Sequence, residues 1–173
     1  MENIIIKKVL IIGSGVMGSR IACYLSDVGL SVFLLDIIGN DKNRNSIVNS
    51  NLNKTIKSRP EPLLDKSNVH NITTGNIIDD INKIKDSDWI IEAVSEKENI
   101  KKEVLDIIEK NKKKESIVST NTSGLSINNL VKGRSKEFKE NFLGIHFFNP
   151  PRQLRLLEIC LLYTSDAADD TDS

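Results

Sequence analysis

The chain has 173 residues, of which 39% are hydrophobic and 28% are charged, proportions typical of a folded globular protein. Lysines and arginines number 24, as do aspartates and glutamates, so the formal net charge is zero. This balance argues against nucleic acid or an acidic membrane surface as a partner, because both select basic surfaces. Two cysteines are too few for a disulfide framework, and no apolar run approaches the roughly 20 residues that span a bilayer. We therefore predict a cytoplasmic protein.

The first predicted unit is a strand, a glycine-rich turn and a helix. Residues 9–12 (VLII) form an apolar run typical of a buried strand. Residues 13–18 (GSGVMG) have the spacing G-x-G-x-x-G, and apolar residues recur at helical spacing behind them. Residues 31–36 (SVFLLD) predict a second strand, which ends on Asp36.

This unit has the chemistry of a dinucleotide site. The first glycine permits a tight turn, the second lets the backbone approach a pyrophosphate, and the third lets the helix pack closely on the strand. The helix N-terminus offers free N–H groups to the phosphates. A carboxylate at Asp36 can accept hydrogen bonds from the ribose hydroxyls and would repel a 2′-phosphate, which favours NAD over NADP. The residues assigned to the cofactor here are Gly13, Gly15, Val16, Met17, Gly18 and Asp36. The alternative is a glycine-rich connection that binds no ligand.

The middle of the chain alternates between predicted helices and strands. We expect helices over residues 40–57, 77–85, 97–111 and 126–131, strands over 69–73, 89–94 and 116–119, and a charged linker over 132–141. The strand over 69–73 would contain His70, and the lysines of the helix over 97–111 would face solvent. Lys54, Lys57 and Arg59 either meet a phosphorylated substrate or form a solvated helix face. The alternation predicts an α/β fold of the Rossmann type, a doubly wound, mostly parallel sheet with helices on both faces.

The segment of greatest chemical interest is GIHFFNPPRQLRLLEI, residues 144–159. It places His146, one of two histidines, in a strand predicted over 142–148, and Glu158 in a strand predicted over 154–159. The histidine is either a hydrogen-bonded core residue or a general base, since an imidazole suits removal of a hydroxyl proton near neutral pH. A carboxylate on its far nitrogen would fix the tautomer and stabilise the imidazolium. No cysteine, histidine and aspartate cluster has metal-ligand spacing, so we expect no metal site.

Four blocks of sequence carry a family resemblance. GSGVMGSRIA, DWIIEAVSE, STNTSGLSI and GIHFFNPPRQLRLLEI stand in the order found in the NAD-binding domain of L-3-hydroxyacyl-CoA dehydrogenases, and the likeness covers residues 7–159. The PPR after HFFN and the RPEPLL at residues 59–64 are most similar to the long form of this enzyme, which is fused to an enoyl-CoA hydratase.

The resemblance implies an activity and a set of reacting residues. The activity is oxidation of an L-3-hydroxyacyl-CoA to a 3-ketoacyl-CoA with NAD, a step of fatty-acid β-oxidation. His146 matches the catalytic base, Glu158 matches its paired carboxylate, and Ser123 matches the serine that holds the substrate oxygen. Asn149 belongs to the same signature and is expected to shape the loop after His146.

The resemblance also implies cofactor contacts and partners. Asp36 matches the acid that binds the ribose, and Glu96 and Lys101 match residues near the nicotinamide half of NAD. The expected partner is an acyl-CoA substrate. The whole protein would be a homodimer or part of a fused multifunctional enzyme.

The end of the chain departs from the family. Family members continue into a helical C-terminal domain that covers the cleft, provides dimer contacts and supplies a catalytic asparagine. We therefore expect residues 1–159 to be the NAD-binding domain of a truncated chain. Residues 160–173 (CLLYTSDAADDTDS) resemble a translated sequencing adapter and are expected to be non-native; the alternative is a short acidic tail. Two other functions stay open: an NAD-binding module without turnover, and a related NAD-dependent 3-hydroxy-acid dehydrogenase, such as one acting on a sugar acid.

Overall fold

Seven strands form one sheet in the computed structural model, which describes residues 5–162. They are β1 (Lys8–Ile12), β2 (Ser31–Asp36), β3 (Ile72–Asn76), β4 (Trp89–Glu92), β5 (Ile117–Asn121), β6 (Phe142–Phe147) and β7 (Leu157–Leu161). Their spatial order is β3-β2-β1-β4-β5-β6-β7. The first six strands run parallel, and β7 pairs antiparallel with β6.

Within residues 5–162, six α-helices and one 3-10 helix connect the strands. The α-helices are α1 (Val16–Asp27), α2 (Ser46–Ile56), α3 (Asn82–Asp86), α4 (Glu98–Asn111), α5 (Ile127–Leu130) and α6 (Lys136–Glu140). The 3-10 helix is Lys66–Asn71. None of the helices described in residues 5–162 combines the length and the apolar character needed to cross a bilayer.

The central strand β1 shows why helices cover both faces. Successive side chains of a strand point to opposite faces, and four consecutive residues of β1 are apolar. Val9 and Ile11 pack into a core with α1 and α2, whereas Leu10 and Ile12 pack into a second core with α3 to α6. All four are at most 2% exposed. The predicted doubly wound sheet is confirmed.

The strand order reverses at β1, which lies between β2 and β4. The chain runs from β1 outward to β3, then returns to β4 on the other side of β1 and continues to β7. Connections that leave in opposite directions open a crevice at the carboxyl ends of the two central strands. The glycine-rich turn after β1 lies at this crevice.

Some predicted elements were wrong in place or type. His70 lies in the 3-10 helix, not in a strand, because the Asp65 side chain caps that turn by accepting from the Ser67 N–H at 2.8 Å. Helix α2 begins at Ser46, not near residue 40, because the side chain of Asn40 accepts from the N–H of Asn43 at 3.0 Å and stabilises a turn instead.

The charged stretch 132–141 is not a simple linker. It contains α6, whose N-terminus is capped by Ser135 Oγ, which accepts from the Phe138 N–H at 3.2 Å. Phe138 is fully buried and anchors the helix to the sheet. Strand β7 covers residues 157–161 and not 154–159, so it continues through Cys160 and Leu161. Residues 163–173 of the expected non-native tail lie outside the described residues.

Candidate active site

The three glycines of the turn after β1 have different surroundings. Gly13 has a φ of +103°, a left-handed conformation, and a Cβ there would lie 2.6 Å from the carbonyl oxygen of Ala93. A Cβ on Gly18 would overlap the carbonyl oxygen of Gly13. A Cβ on Gly15 would have no atom within 4 Å. The first and third glycines are therefore required by packing inside the chain, while the second leaves open space beside the backbone.

A cleft of about 790 Å³ opens at this turn. One wall is formed by the turn and by the first residues of α1, Val16 and Met17. Gly15 is the N-cap of α1 and supplies no side-chain cap, and the first turn of the helix has no acidic residue. The helix therefore presents free N–H groups and a partial positive charge to the cleft, as an anion site requires. Aliphatic side chains that also line the cleft suit a flat ring: Ile37, Ile77, Ile100 and Ile107.

Asp36 lines the cleft at the end of β2. Its Oδ2 accepts from the Ser14 N–H at 2.7 Å and from the Ser14 hydroxyl, and its Oδ1 accepts from the Ile37 N–H at 2.7 Å. Asn51 donates to the same hydroxyl at 3.0 Å. A carboxylate has about four acceptor positions, so one remains for a ribose hydroxyl. Ser14 lies within the glycine motif that predicted the site. Asn51 is brought to the site by α2, and no sequence pattern indicated this.

Ser123, His146 and Glu158 form one hydrogen-bonded line. His146 and Glu158 are paired residues of β6 and β7, and Nδ1 of the imidazole lies 2.9 Å from Oε2 of the carboxylate. Nε2 lies 3.1 Å from the Ser123 hydroxyl oxygen. An ionised carboxylate only accepts, so Nδ1 carries the proton and Nε2 of the neutral ring is the acceptor. The histidine thus has its basic nitrogen directed to the serine.

The hydrogen-bonded line stands at the rim of the cleft. Ser123 lines the dinucleotide cleft and also a second one of about 410 Å³, which His146 and Glu158 line too. The imidazole is 25% exposed and the Glu158 side chain is 62% exposed. Asn121 accepts from the Phe147 N–H at 3.2 Å through its side chain and so connects the end of β5 to β6 next to the histidine. Its spacing in the sequence did not indicate this contact.

Glu96 and Lys101 take different positions relative to the cleft. Glu96 lines it, and its Oε1 accepts from the Thr122 hydroxyl and from the Ser123 N–H at 2.9 Å. Burial raises the pKa of Glu96, but these hydrogen bonds and the charge of Lys101 outweigh burial, so its pKa is lowered. Lys101 is fully buried beneath the cleft, so the expectation that the lysines of α4 all face solvent was wrong. The structure places its ammonium against carboxylates and not in the cleft.

The residues present fit NAD. The open space at Gly15, the uncapped N-terminus of α1 and the remaining acceptor position on Asp36 match a pyrophosphate followed by a ribose with free hydroxyls. The cleft continues from there to Glu96 and Ser123, next to His146. Within residues 5–162, no group of three or more histidine, cysteine, aspartate or glutamate side chains is placed to hold a metal ion.

A dinucleotide cleft with a hydrogen-bonded histidine at its rim suits an NAD-dependent dehydrogenase domain. Comparison with known proteins narrows the class. The profile of the family described as "3-hydroxyacyl-CoA dehydrogenase, NAD binding domain" matches residues 8–171, and the chain belongs to this family. The predicted family, fold class and cofactor NAD are thereby confirmed.

Individual relatives agree with the family. The chain is 44% identical over 176 residues to a probable 3-hydroxyacyl-CoA dehydrogenase of Bacillus subtilis and 43% identical over 155 residues to one of Deinococcus radiodurans. These matches cover 93% and 89% of the chain but 22% and 45% of the relatives, so the chain spans less than half of their length. A crystal structure of (S)-3-hydroxybutyryl-CoA dehydrogenase from Ralstonia eutropha superposes with a TM-score of 0.71 at 31% identity, over 94% of this chain and 57% of that one.

Fused relatives exist as well. A putative fatty acid oxidation complex trifunctional enzyme of Rickettsia felis is 40% identical over 157 residues, which cover 90% of this chain and 22% of that protein.

Proposed function

We propose that this chain carries the cofactor site and the acid–base residues of an enzyme that oxidises L-3-hydroxyacyl-CoA to 3-ketoacyl-CoA with NAD. The observation that carries the proposal is the line from Ser123 Oγ through His146 to Glu158, with distances of 3.1 Å and 2.9 Å, at the rim of the dinucleotide cleft. NAD, when bound, supplies the hydride acceptor. The residues of the chain must then remove the hydroxyl proton and hold the oxygen.

His146 takes the proton. Its Nε2 carries the lone pair of the ring because Nδ1–H donates to Glu158, and a base in this position contributes roughly 10²–10⁴ in rate. Glu158 stabilises the imidazolium that forms. Ser123 donates to the substrate oxygen as it becomes a carbonyl, since its hydroxyl is already placed 3.1 Å from the base.

The cofactor preference follows from Asp36. Its carboxylate lies at the end of β2, where the ribose of the adenosine half would lie, and it is fixed there by the glycine turn. An anion at this position accepts from a 2′-hydroxyl and repels a 2′-phosphate. We therefore propose NAD and not NADP as the working cofactor.

The test is a turnover assay in the reverse direction with acetoacetyl-CoA and NADH, followed by the loss of NADH absorbance. It is performed on the protein that includes the remaining length seen in the relatives, and in parallel on the 173-residue chain. Turnover that is competed by free CoA supports the proposal. Turnover of a free 3-hydroxy acid that is insensitive to CoA would instead indicate the related 3-hydroxy-acid dehydrogenase.

A second candidate function applies to the 173-residue chain by itself: an NAD-binding module without turnover. The Glu158 side chain is 62% exposed, and every residue of β7 is exposed, so the reacting pair is open to water. Calorimetric binding of NAD without turnover supports this module. Turnover by the chain alone contradicts it.

The partners and the compartment of the whole protein are part of the same proposal. We propose an acyl-CoA as the substrate and a homodimer or a fused multifunctional enzyme as the assembly; the trifunctional relative of Rickettsia felis supports the fused form. A cytoplasmic location is supported by the low cysteine content. Light scattering on the whole protein distinguishes a dimer from a monomer.

A further inference from the structure

A buried ion pair lies under the cleft and is not used by the proposed chemistry. The side chains of Glu92 and Lys101 are both 0% exposed, and the ammonium of Lys101 lies 2.9 Å and 3.1 Å from the two carboxylate oxygens of Glu92. Thr120 Oγ donates to the same carboxylate, and the Val94 N–H donates to it at 2.8 Å. These groups come from β4, α4 and β5, so the pair joins three elements just below the cleft.

A buried ion pair is an energetically unfavourable choice of residues for a core. Two charges removed from water lose their hydration, and apolar side chains of similar size often pack there with equal or greater stability. Burial raises the pKa of Glu92, and Lys101 opposes that increase. The stability of the sheet alone therefore gives no reason for these residue types, and the contacts of the ammonium indicate another role.

The ammonium has a further partner on the cleft side. Lys101 Nζ lies 3.3 Å from Oε2 of Glu96, the carboxylate that lines the cleft. It also donates to the backbone carbonyls of Val94 and Asn121, at 3.4 Å and 3.3 Å. The buried cation thus holds one oxygen of Glu96 from below.

The other oxygen of Glu96 holds the serine loop. Oε1 accepts from the N–H groups of Ser123 and Gly124, at 2.9 Å and 3.3 Å, and from the Thr122 hydroxyl. Ser123 in turn presents its hydroxyl to His146 Nε2 at 3.1 Å. The contacts are continuous from the buried pair to the base.

We infer that Glu92 and Lys101 are positioning residues for the reacting groups: Glu92 holds the buried ammonium, the ammonium orients Glu96, and Glu96 fixes the Ser123 loop against His146. The inference deepens the proposed function and rests on it, since it assigns the pair a role in placing the serine of that reaction. Neither Glu92 nor Lys101 lines either of the two clefts.

The variants must separate positioning from folding. Replacing only one member leaves the other as an unpaired buried charge, which destabilises the fold for reasons unrelated to Ser123. The double variant Glu92→Gln/Lys101→Met removes both charges and keeps the volume. The new amide oxygen at position 92 can still accept from the Val94 N–H. The matched control is Glu98→Gln/Lys102→Gln, which removes an exposed ion pair of 2.6 Å from the same helix.

The readout is nuclear magnetic resonance of the full 173-residue chain. The sequence has two histidines, so the ring nitrogens of His146 are identified by comparison with a His70→Gln sample. We expect the double variant to stay folded, with the thermal midpoint close to the parent, while the Nε2 resonance of His146 and the amide resonances of Ser123 and Gly124 move. The control should leave these resonances in place.

Two outcomes would overturn the inference. One is a folded double variant with unchanged Nε2, Ser123 and Gly124 resonances. The other is a double variant that unfolds, together with a folded Lys101→Arg variant in which the Nε2, Ser123 and Gly124 resonances move although the charge is kept. A parallel NAD titration of the parent chain tests the proposed function separately, because these resonances report geometry whether or not the chain binds NAD.

Discussion

His146 and Glu158 face each other as a directly paired set on antiparallel strands, with Nδ1 2.9 Å from the carboxylate. Paired side chains on one face of an antiparallel ladder have Cβ atoms about 5 Å apart, close enough for an imidazole and a carboxylate to meet without strain. The strand register thus determines both the tautomer of the histidine and the direction of its basic nitrogen.

Replacing His146 by glutamine should separate chemistry from binding. The variant lacks the base, so in the whole protein we expect kcat to fall by roughly 10²–10⁴. NAD affinity should be kept, because the cofactor cleft is lined by the glycine turn, the end of β2, the loop after β4 and helix α4, and not by the imidazole. Steady-state assays with acetoacetyl-CoA and NADH, together with calorimetry of NAD binding, check both parts. A variant that retains most of its activity would show that the base has been misassigned.

Asp36→Ala should have the opposite effect. Removal of the carboxylate takes away the ribose acceptor and releases the Ser14 N–H that it accepts from at 2.7 Å. NAD affinity should therefore fall, while hydride transfer at saturating NAD is retained because Ser123, His146 and Glu158 are unchanged. The measurement is the dependence of rate on NAD concentration. Asn51→Ala serves as a control, since it loosens Ser14 but leaves the charge in place.

Two glycine variants should behave differently from each other. In Gly18→Ala the methyl group overlaps the Gly13 carbonyl oxygen, so we expect a loss of about 1–3 kcal/mol or more in the free energy of unfolding. In Gly15→Ala the methyl group meets nothing within 4 Å and φ is −58°, so the loss should stay under about 1 kcal/mol. NAD affinity should fall in Gly15→Ala nonetheless, because the methyl group fills the space that a pyrophosphate would approach.

Urea denaturation and NAD calorimetry on both variants measure these effects. Equal destabilisation of the two would mean that the space beside Gly15 is filled in solution. Undiminished NAD binding by a folded Gly15→Ala chain would show that the phosphates do not lie there.

Much of the fold was predictable because local patterns and topology agree. The apolar runs of β1 and β2, the glycine spacing and the terminal Asp36 all belong to one local unit whose geometry follows from backbone sterics. The His146 and Glu158 pairing was predictable only through the family resemblance. A sequence does not reveal which residues of β6 and β7 stand opposite each other, since that register depends on the intervening loop.

Other features were missed although the sequence contained a signal. Lys101 lies on the same stripe as Val104, Leu105 and Ile108, with the spacing i, i+3, i+4, i+7 that marks the buried face of α4. Its position on the stripe, not its charge, predicts its burial. Phe138 is the single large apolar residue of the charged stretch, and it is the residue that anchors α6.

The two cysteines should differ in reactivity. Burial, followed by the charge of Asp27, raises the pKa of the Cys23 thiol from 9.0 to about 12, and its side chain is 0% exposed. Such a shift lowers the thiolate fraction about a thousandfold at neutral pH. Cys160 is exposed on β7. A thiol reagent should therefore modify one cysteine rapidly in the native chain and both in denaturant, and none rapidly in Cys160→Ser. Rapid reaction of two thiols in the native chain would place Cys23 outside the core.

Asp88 lies at the amino ends of β1 and β4, at the opposite end of these strands from the cleft, and should make stability depend on pH. Burial raises its pKa, but the Lys113 ammonium at 2.6 Å and the N–H groups of Lys7 and Lys8 outweigh burial, so the pKa falls from 3.8 to about 2. A carboxylate with a lowered pKa in the folded state binds fewer protons there than in the unfolded state. Its stabilisation is therefore complete above pH 3.8 and is lost as the pH falls towards 2.

Asp88→Asn should accordingly lower the free energy of unfolding at neutral pH by an amount on the order of 1 kcal/mol, allowing for solvent screening of a partly exposed group. The difference in the free energy of unfolding between the variant and the parent should become smaller as the pH falls from 3.8 towards 2, where the parent carboxyl becomes protonated. Urea denaturation along a pH series measures the difference. Asp86→Asn, an exposed acid at the end of α3, is the control and should show no such narrowing. A difference that stays constant down to pH 2 would mean that the carboxylate charge does not stabilise the contacts of Asp88 with Lys7, Lys8 and Lys113.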